Sequence, residues 1–356
     1  LINFPVMMSI LIEQLINITD AIFLGHVGEI ELGASALAGI WYLAIYMLGF
    51  GFSLGLQVVV ARRNGEQHYS ETGKTFFQGL FFLSGLAVFL CLLSKLFSPI
   101  ILSRLIASAE VYHAVIDYLD GRIWGLLFSF PFLALRSFLV GITHTKALNV
   151  AALTAVLVNI SGNWLLIFHW DMGIAGAAIA SSFAEACSLA VLAIHVLRKM
   201  DKRLYGLSWS FDKGVLLHVF RVSVWSMFHS FIGVAPWFLF FVAIEHLGEL
   251  QLAVANILRS ISTLFFVIVN SFAATTGSLV SNLIGADERG QVFPLCSRVI
   301  RLGYAIGFPL IALALIFHQS VIDVYTDNPV IVQTSWLPFV VMLLNYVFAL
   351  PGYVYM

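Results

Sequence analysis

Charged side chains are scarce in this sequence. Only 10% of its 356 residues are Asp, Glu, Lys or Arg, whereas 60% are hydrophobic. An average soluble domain carries about 25% charged residues, so the composition excludes an ordinary soluble fold and fits a chain that lies in lipid. Cysteine is scarce as well. The three cysteines stand singly in apolar runs, which excludes the spacing of a zinc site or a disulfide framework.

The sequence also lacks an excess of basic residues. It has 18 Lys and Arg against 19 Asp and Glu. This balance excludes nucleic acid as a partner and argues against a polybasic lipid-binding surface. No charged segment, apolar run and cleavage site of the signal-peptide type opens the chain. Because Leu1 and Met356 both lie in apolar runs, we expect a fragment that lacks both natural ends.

Long apolar runs dominate what is present. A membrane-spanning helix needs about 20 mostly apolar residues, and runs of this length are too long for the strands of a membrane barrel. The sequence therefore predicts an all-α membrane protein. The predicted spans are 1–24, 33–60, 75–97, 115–142, 147–168, 173–197, 215–244, 250–283, 294–318 and 330–356.

Basic residues in the linkers predict the orientation. Linkers that carry most Lys and Arg are expected on the cytoplasmic side, and here they follow the even-numbered spans. The start of the first span therefore faces the cytoplasm. Lys95, Arg104 and Arg122, near the third linker, depart from this pattern. The basic residues that agree with the pattern are Arg62, Arg63, Lys74, Lys146, Arg198, Lys199, Lys202, Arg203, Lys213 and Arg289.

The chain contains an internal repeat. Gly25–Gly65 aligns without a gap onto Glu245–Gly285, at an offset of 220 residues. Six spans separate the copies, so both halves share one orientation, as in transporters built from two bundles related by an axis along the membrane normal. We predict an N-terminal lobe over 1–200, a cytoplasmic linker over 201–214 and a C-terminal lobe over 215–356.

The first span carries polar side chains on one helical face. Glu13, Asn17 and Asp20 are four and three residues apart, so they line one side of a helix. An ionisable group inside lipid costs roughly 2.5–3.5 kcal/mol on insertion scales. This face is either a hydrogen-bonded contact between helices or a functional site, and we favour the second interpretation.

The fifth and sixth spans offer partners for this acid. Asn159 and Asn163 are four residues apart, and so are Ser181 and Glu185. If these helices bundle with the first, a carboxylate meets amide and hydroxyl oxygens, which suit a hard cation such as Na⁺. A carboxyl group buried among apolar groups also binds a proton readily, so the residues leave both ions open. The secondary polar candidates are Glu13, Asn17, Glu185, Asn256 and Arg259.

Several segments together carry a family resemblance. Pro5 and Asp20 precede the glycine of a turn at Gly25, and the second span ends in Ala61-Arg-Arg-Asn-Gly65. Further matching segments are 159–168, 173–181, 252–257 and 278–286. In order and spacing they resemble the multidrug and toxic compound extrusion transporters over the whole chain.

The resemblance implies a twelve-helix fold of two six-helix lobes, of which about ten helices lie in this sequence. It also implies efflux of organic, cationic drugs by alternating access, driven by inward Na⁺ or H⁺, in a monomer of the bacterial-type inner membrane with lipid around it. Na⁺ or H⁺ would be the coupling ion, with no other cofactor. Asp20, Asn159, Asn163 and Ser181 would bind this cation, with Na⁺ a candidate at the first three.

Two alternative functions require features that the sequence offers sparsely or lacks. A lipid-linked oligosaccharide flippase of the same superfamily needs a basic cavity for pyrophosphate, for which only Arg136, Arg221 and Arg259 are candidates. An integral membrane enzyme needs convergent catalytic groups near one interface, and the sequence offers none. We therefore predict a transporter and no catalytic residues.

Overall fold

A computed structural model describes residues 29–106, 109–245, 249–323 and 329–355. Near the start of the chain it also describes Ile16, Thr19, Asp20, Phe23, Leu24 and Val27, of which all but Val27 are helical.

Helices make up almost all of this described part. A 3₁₀ turn, Ile123–Gly125, joins α3 to α4, and a π-helix, Trp164–His169, continues α5. The α-helices are α1 (Glu29–Gly65), α2 (Tyr69–Leu105), α3 (Ala109–Arg122), α4 (Leu126–Gly141), α5 (Lys146–Asn163), α6 (Gly173–Lys199), α7 (Lys213–Glu245), α8 (Glu249–Gly285), α9 (Val292–Ile316), α10 (His318–Asp323) and α11 (Pro329–Tyr355).

Nine stretches within the described ranges are long and apolar enough to cross a membrane. They correspond to the second to tenth predicted spans, so the prediction of an all-α membrane protein is confirmed. The first predicted span, 1–24, lies mostly outside the described residues. The predicted span 75–97 is too short, because α2 includes the polar turn from Tyr69 and continues through Pro99 to Leu105.

Apolar side chains form four clusters in the described chain, and the largest joins the two halves because it includes Val219 of α7. The largest cluster is built mainly from α1, α2, α4, α5 and α6, around side chains such as Phe52 and Phe138. A second cluster surrounds Leu24, next to Asp20, with residues of α1, α3 and α6. The remaining two clusters lie in α8 to α11. The lobe boundaries at 200 and 215 stay a prediction.

The two copies of the repeat form helices of equal length. Helices α1 and α8 each have 37 residues, and both of their ends are offset by 220 positions. They cross near their C-terminal ends through a reciprocal contact. A Cβ added to Gly65 would meet the carbonyl oxygen of Asn282, and a Cβ added to Gly285 would meet that of Arg62. Since Arg62 and Asn282 are themselves 220 positions apart, the crossing follows the symmetry of the repeat.

Polar contacts close the same region. The Asn64 Nδ2 donates to Asn282 Oδ1 at 2.8 Å, and the Ser278 hydroxyl donates to the Val140 carbonyl at 3.0 Å. Nearby, the Gln57 Nε2 donates to the Ala274 carbonyl at 2.9 Å. The basic residues in the linkers predict that this end of the helices is on the cytoplasmic side. The halves of the chain are therefore in contact at the end predicted to be cytoplasmic.

The segment between α6 and α7 is held against α2. The Gln78 Nε2 donates to the Ser210 carbonyl at 2.6 Å, and its Oε1 accepts the Asp212 backbone N–H at 3.0 Å. The Gly73 N–H donates to the Tyr205 carbonyl at 2.9 Å. The nitrogen and the oxygen of the buried Gln78 side-chain amide therefore both bind the backbone of the predicted linker and hold it against α2.

Gln78→Leu is expected to lower the melting temperature of the protein in detergent. Gln78 is completely buried, and its loss leaves backbone groups of the linker without partners, each at a cost of about 1–3 kcal/mol. Gln291→Leu, at an exposed position before α9, is the matched control. An unchanged melting temperature for Gln78→Leu would contradict an anchoring role.

Candidate functional site

A buried carboxylate lies at the centre of a polar cluster. One oxygen of Asp20, Oδ1, accepts from Asn159 Nδ2 at 2.9 Å and from Asn163 Nδ2 at 2.6 Å. The other oxygen, Oδ2, accepts from the Ser181 hydroxyl at 2.6 Å. Asp20 is 7% exposed, and both asparagines are completely buried. Three segments far apart in sequence therefore meet at one carboxylate.

Close packing of α5 and α6 positions the partners of Asp20. The two helices are joined by a tight turn in which Asp171 and Gly173 have positive φ angles of 52° and 53°. A Cβ added to Gly162 would contact Ala180, so small residues let the helices approach closely. As a result, the Asn159 Nδ2 also lies 3.0 Å from the Ser181 hydroxyl oxygen.

The residues of this cluster fit a small cation. The Asn163 Oδ1 is buried and has no hydrogen-bond partner among the described residues. Amide oxygen and nitrogen are assigned from the hydrogen-bond network, and turning this amide by 180° would direct its oxygen at the Asp20 carboxylate. Carboxylate, amide and hydroxyl oxygens are ligands for a hard cation. The same carboxylate is also able to take up a proton.

A second polar cluster involves a secondary candidate, Glu185. The Arg122 Nη2 donates to Glu185 Oε1 at 2.7 Å. The Tyr42 hydroxyl donates to Oε1 and Oε2 of the same carboxylate at 3.3 and 3.4 Å. Glu185 is thus hydrogen-bonded to α1 and α3, not to Asp20.

Sequence reasoning missed Arg122 and Tyr42. Arg122 was visible only as a basic residue that departs from the orientation pattern, and a lone tyrosine in an apolar helix carries no pattern. Their partner lies 63 residues beyond Arg122 in the chain. An ion pair between helices so far apart depends on how they pack, which spacing within one helix does not reveal.

Of the other secondary candidates, only Arg259 has a side chain among the described residues. Glu13 and Asn17 lie outside the described residues, as does the side chain of Asn256 on α8. Arg259, also on α8, is half-buried, and its carbonyl accepts hydroxyl hydrogen bonds from Ser262 and Thr263. These four residues stay predictions.

A helical chain with many apolar stretches long enough to cross a membrane is a multi-pass membrane protein, here with a carboxylate buried among its helices. The chain belongs to the MatE family, whose model matches residues 5–165 and 226–355. Members of this family are multidrug transporters, so the prediction that the chain is a transporter and not an enzyme is confirmed.

Named relatives agree with this family. The chain is 26% identical to the "Probable multidrug resistance protein NorM" of Photorhabdus laumondii, covering 97% of this chain and 77% of that protein. It is 23% identical to the "Multidrug resistance protein NorM" of Vibrio cholerae, covering 93% of this chain and 74% of that protein.

Solved structures show the same fold. The crystal structure of the eukaryotic MATE transporter AtDTX14 has a TM-score of 0.89 at 17% identity, covering 99% of this chain and 80% of that chain. An outward-facing multidrug resistance MATE transporter has a TM-score of 0.86 at 20% identity, covering 99% of this chain and 82% of that chain.

Proposed function

We propose that the chain is a cation-coupled antiporter that exports organic cations from the cytoplasm of a bacterial cell. Asp20, Asn159, Asn163 and Ser181 bind the coupling cation, which is Na⁺ or H⁺. The observation that carries this proposal is the buried Asp20 carboxylate, held by three donors from α5 and α6. The relatives named above are multidrug resistance proteins, which supports drugs as the substrates.

The charge of Asp20 links cation binding to the conformation of the protein. An ionised carboxylate in a membrane interior is costly, and binding a cation neutralises it. Conformations that keep Asp20 enclosed are therefore favoured when the cation is bound, and conformations that let it reach water are favoured when the cation is absent. Coupling arises if these conformations differ in their affinity for the exported compound.

All four proposed cation-binding residues belong to one chain, so a monomer suffices for this mechanism. Lipid surrounds the outer faces of the helices, where large apolar side chains such as Phe89 and Leu92 are exposed. We place the protein in the inner membrane, with the loops after α1 and α8 on the cytoplasmic side.

The flippase alternative is less well supported by the arrangement of basic residues. Arg136 is buried on α4 with its guanidinium 5.9 Å from the centre of the Phe50 ring. Arg221 is exposed on α7, and Arg259 is half-buried on α8. The three residues thus lie on three helices in different environments, whereas pyrophosphate binding needs them in one pocket.

Imposed ion gradients test the proposed function. We expect purified protein in vesicles loaded with a fluorescent cationic dye to release the dye faster under an inward Na⁺ or H⁺ gradient than without a gradient. The dye should leave chemically unchanged, as transport requires. Vesicles without protein are the control for leakage. Equal release rates with and without both gradients would contradict cation coupling.

A further inference from the structure

The ion pair between Arg122 and Glu185 is enclosed within the first half of the chain. Their side chains are only 11% and 20% exposed. The guanidinium carbon also lies 4.0 Å from the centre of the Tyr42 ring, so α1, α3 and α6 all contribute to the pair. Removing two charges from water is so costly that burial of an ion pair gives little net stability. Its presence calls for another explanation.

The pair lies one helical turn from the proposed cation site. On α6, Glu185 follows Ser181 by four residues, and Ser181 donates to Asp20. One turn of an α-helix rises by about 5.4 Å. Asp20 also interacts electrostatically with both Arg122 and Glu185. The two polar clusters are therefore neighbouring layers of a single charged region.

Among the residues that the structure describes in this region, two largely buried acids share one largely buried arginine. Asp20 and Glu185 contribute two negative charges, and Arg122 contributes one positive charge. Arg136, the next buried arginine in the chain, is 14 residues farther on, which is about 20 Å at the rise of a helix. Arg122 therefore satisfies one of the two acids, and the other needs an external cation for neutrality.

Arg122 has the capacity for a second contact. Its Nη1 is buried and has no hydrogen-bond partner among the described residues. Without Glu185, Asp20 would be the buried acid that still interacts with the guanidinium among the described residues. A resident guanidinium paired with Asp20 would occupy the place of the transported cation.

We infer that Glu185 is a positioning residue for ion coupling: it holds the guanidinium of Arg122 and thereby keeps Asp20 available to the coupling cation. This inference rests on the proposed role of Asp20. Arg122 in turn limits the affinity of the site, because a fixed positive charge that interacts with Asp20 opposes the binding of a second one.

Neutral substitutions at the two positions should change cation affinity in opposite directions. In Glu185→Gln, the cation concentration that gives half-maximal dye release should rise by about tenfold or more, since Arg122 then competes with the cation for Asp20. In Arg122→Gln, it should fall by a similar factor, since two acids remain. The double variant should return to within about threefold of the original value.

The ion that drives dye release in vesicles serves as the probe. Two readouts are compared for every variant: the half-maximal ion concentration for release, and the dependence of the melting temperature in detergent on the same ion. Asp120→Asn is the matched control. Asp120 is on the same helix as Arg122 and pairs with Lys95 of α2 at 2.6 Å, but its side chain is 60% exposed. This variant should leave both half-maximal concentrations unchanged.

Opposite shifts with recovery in the double variant support the inference. Shifts of both single variants in the same direction, or no shift, would overturn it and leave a purely structural pair. If Glu185→Gln is not recovered in folded form, Arg122→Gln still decides the question by the sign of its shift. If neither ion affects the unmodified protein in either readout, the proposed function itself fails, and this inference fails with it.

Discussion

Asp20→Asn is expected to abolish ion-driven efflux while the protein still folds and inserts. The substitution removes the one formal charge of the proposed site and keeps nearly the same shape. Two unit charges 4 Å apart interact by roughly 4 kcal/mol at the effective dielectric of a protein site, which corresponds to about a thousandfold in cation affinity. Dye release under the driving gradient should therefore fall to the rate of vesicles without protein.

Stability separates loss of coupling from loss of structure in this variant. Because an ionised carboxylate in lipid is costly, the melting temperature of Asp20→Asn in detergent should not fall, and the ion should no longer shift it. Asp171→Asn is the matched control. Asp171 is exposed in the turn between α5 and α6 at a φ of 52°, which asparagine tolerates, so efflux should be retained. Ion-driven efflux at the original rate in Asp20→Asn would falsify the proposed role.

The residues of the Asp20 cluster were predictable from helical periodicity, whereas the distances between them were not. Asn159 and Asn163 lie four residues apart, so any helix through them presents both side chains on one face. Polar side chains on an apolar helix must face protein, and the resemblance to a family indicated which helices meet. The distances between the side chains depend on small residues at the α5–α6 contact, such as Gly162, and no spacing rule supplies these distances.

Contacts between the two halves were less predictable. The repeat of Gly65 in Gly285 was visible in the sequence, because the two copies align without a gap. In the structure both glycines end their helices, but each also lies against a carbonyl of the other helix. A repeat predicts two similar helices with one orientation. It does not predict that they touch, because that contact depends on the conformation in which the two halves meet.

The contact between these glycines suggests how the cytoplasmic side closes. Gly65 and Gly285 let α1 and α8 approach until backbone meets backbone, and the Asn64–Asn282 hydrogen bond, at 2.8 Å, adds a polar contact. Alternating access requires such a contact to form and to break in each cycle. A side chain at either glycine would meet a carbonyl oxygen that cannot move without displacing its helix. We propose that this crossing is the cytoplasmic closure.

Gly65→Leu and Gly285→Leu are each expected to reduce ion-driven dye release by about tenfold or more. Overpacking of a close contact costs about 1–3 kcal/mol. This cost destabilises only the conformation that is closed on the cytoplasmic side if the two helices separate in the open one. Since the two contacts follow the symmetry of the repeat, their effects should be similar. Gly39→Leu on α1 and Gly277→Leu on α8 are matched controls, because an added Cβ meets no atom within 4 Å at either position.

Cysteine labelling gives a direct view of the same closure. Ser278 is 1% exposed and contacts the Val140 carbonyl across the interface. In a Ser278→Cys background, a membrane-impermeant maleimide applied to the cytoplasmic side should react slowly. Adding Gly65→Leu should accelerate the reaction, whereas adding Gly39→Leu should not. Labelling that stays slow in the Gly65→Leu protein, together with retained efflux, would show that the two helices close the cytoplasmic side without this glycine contact.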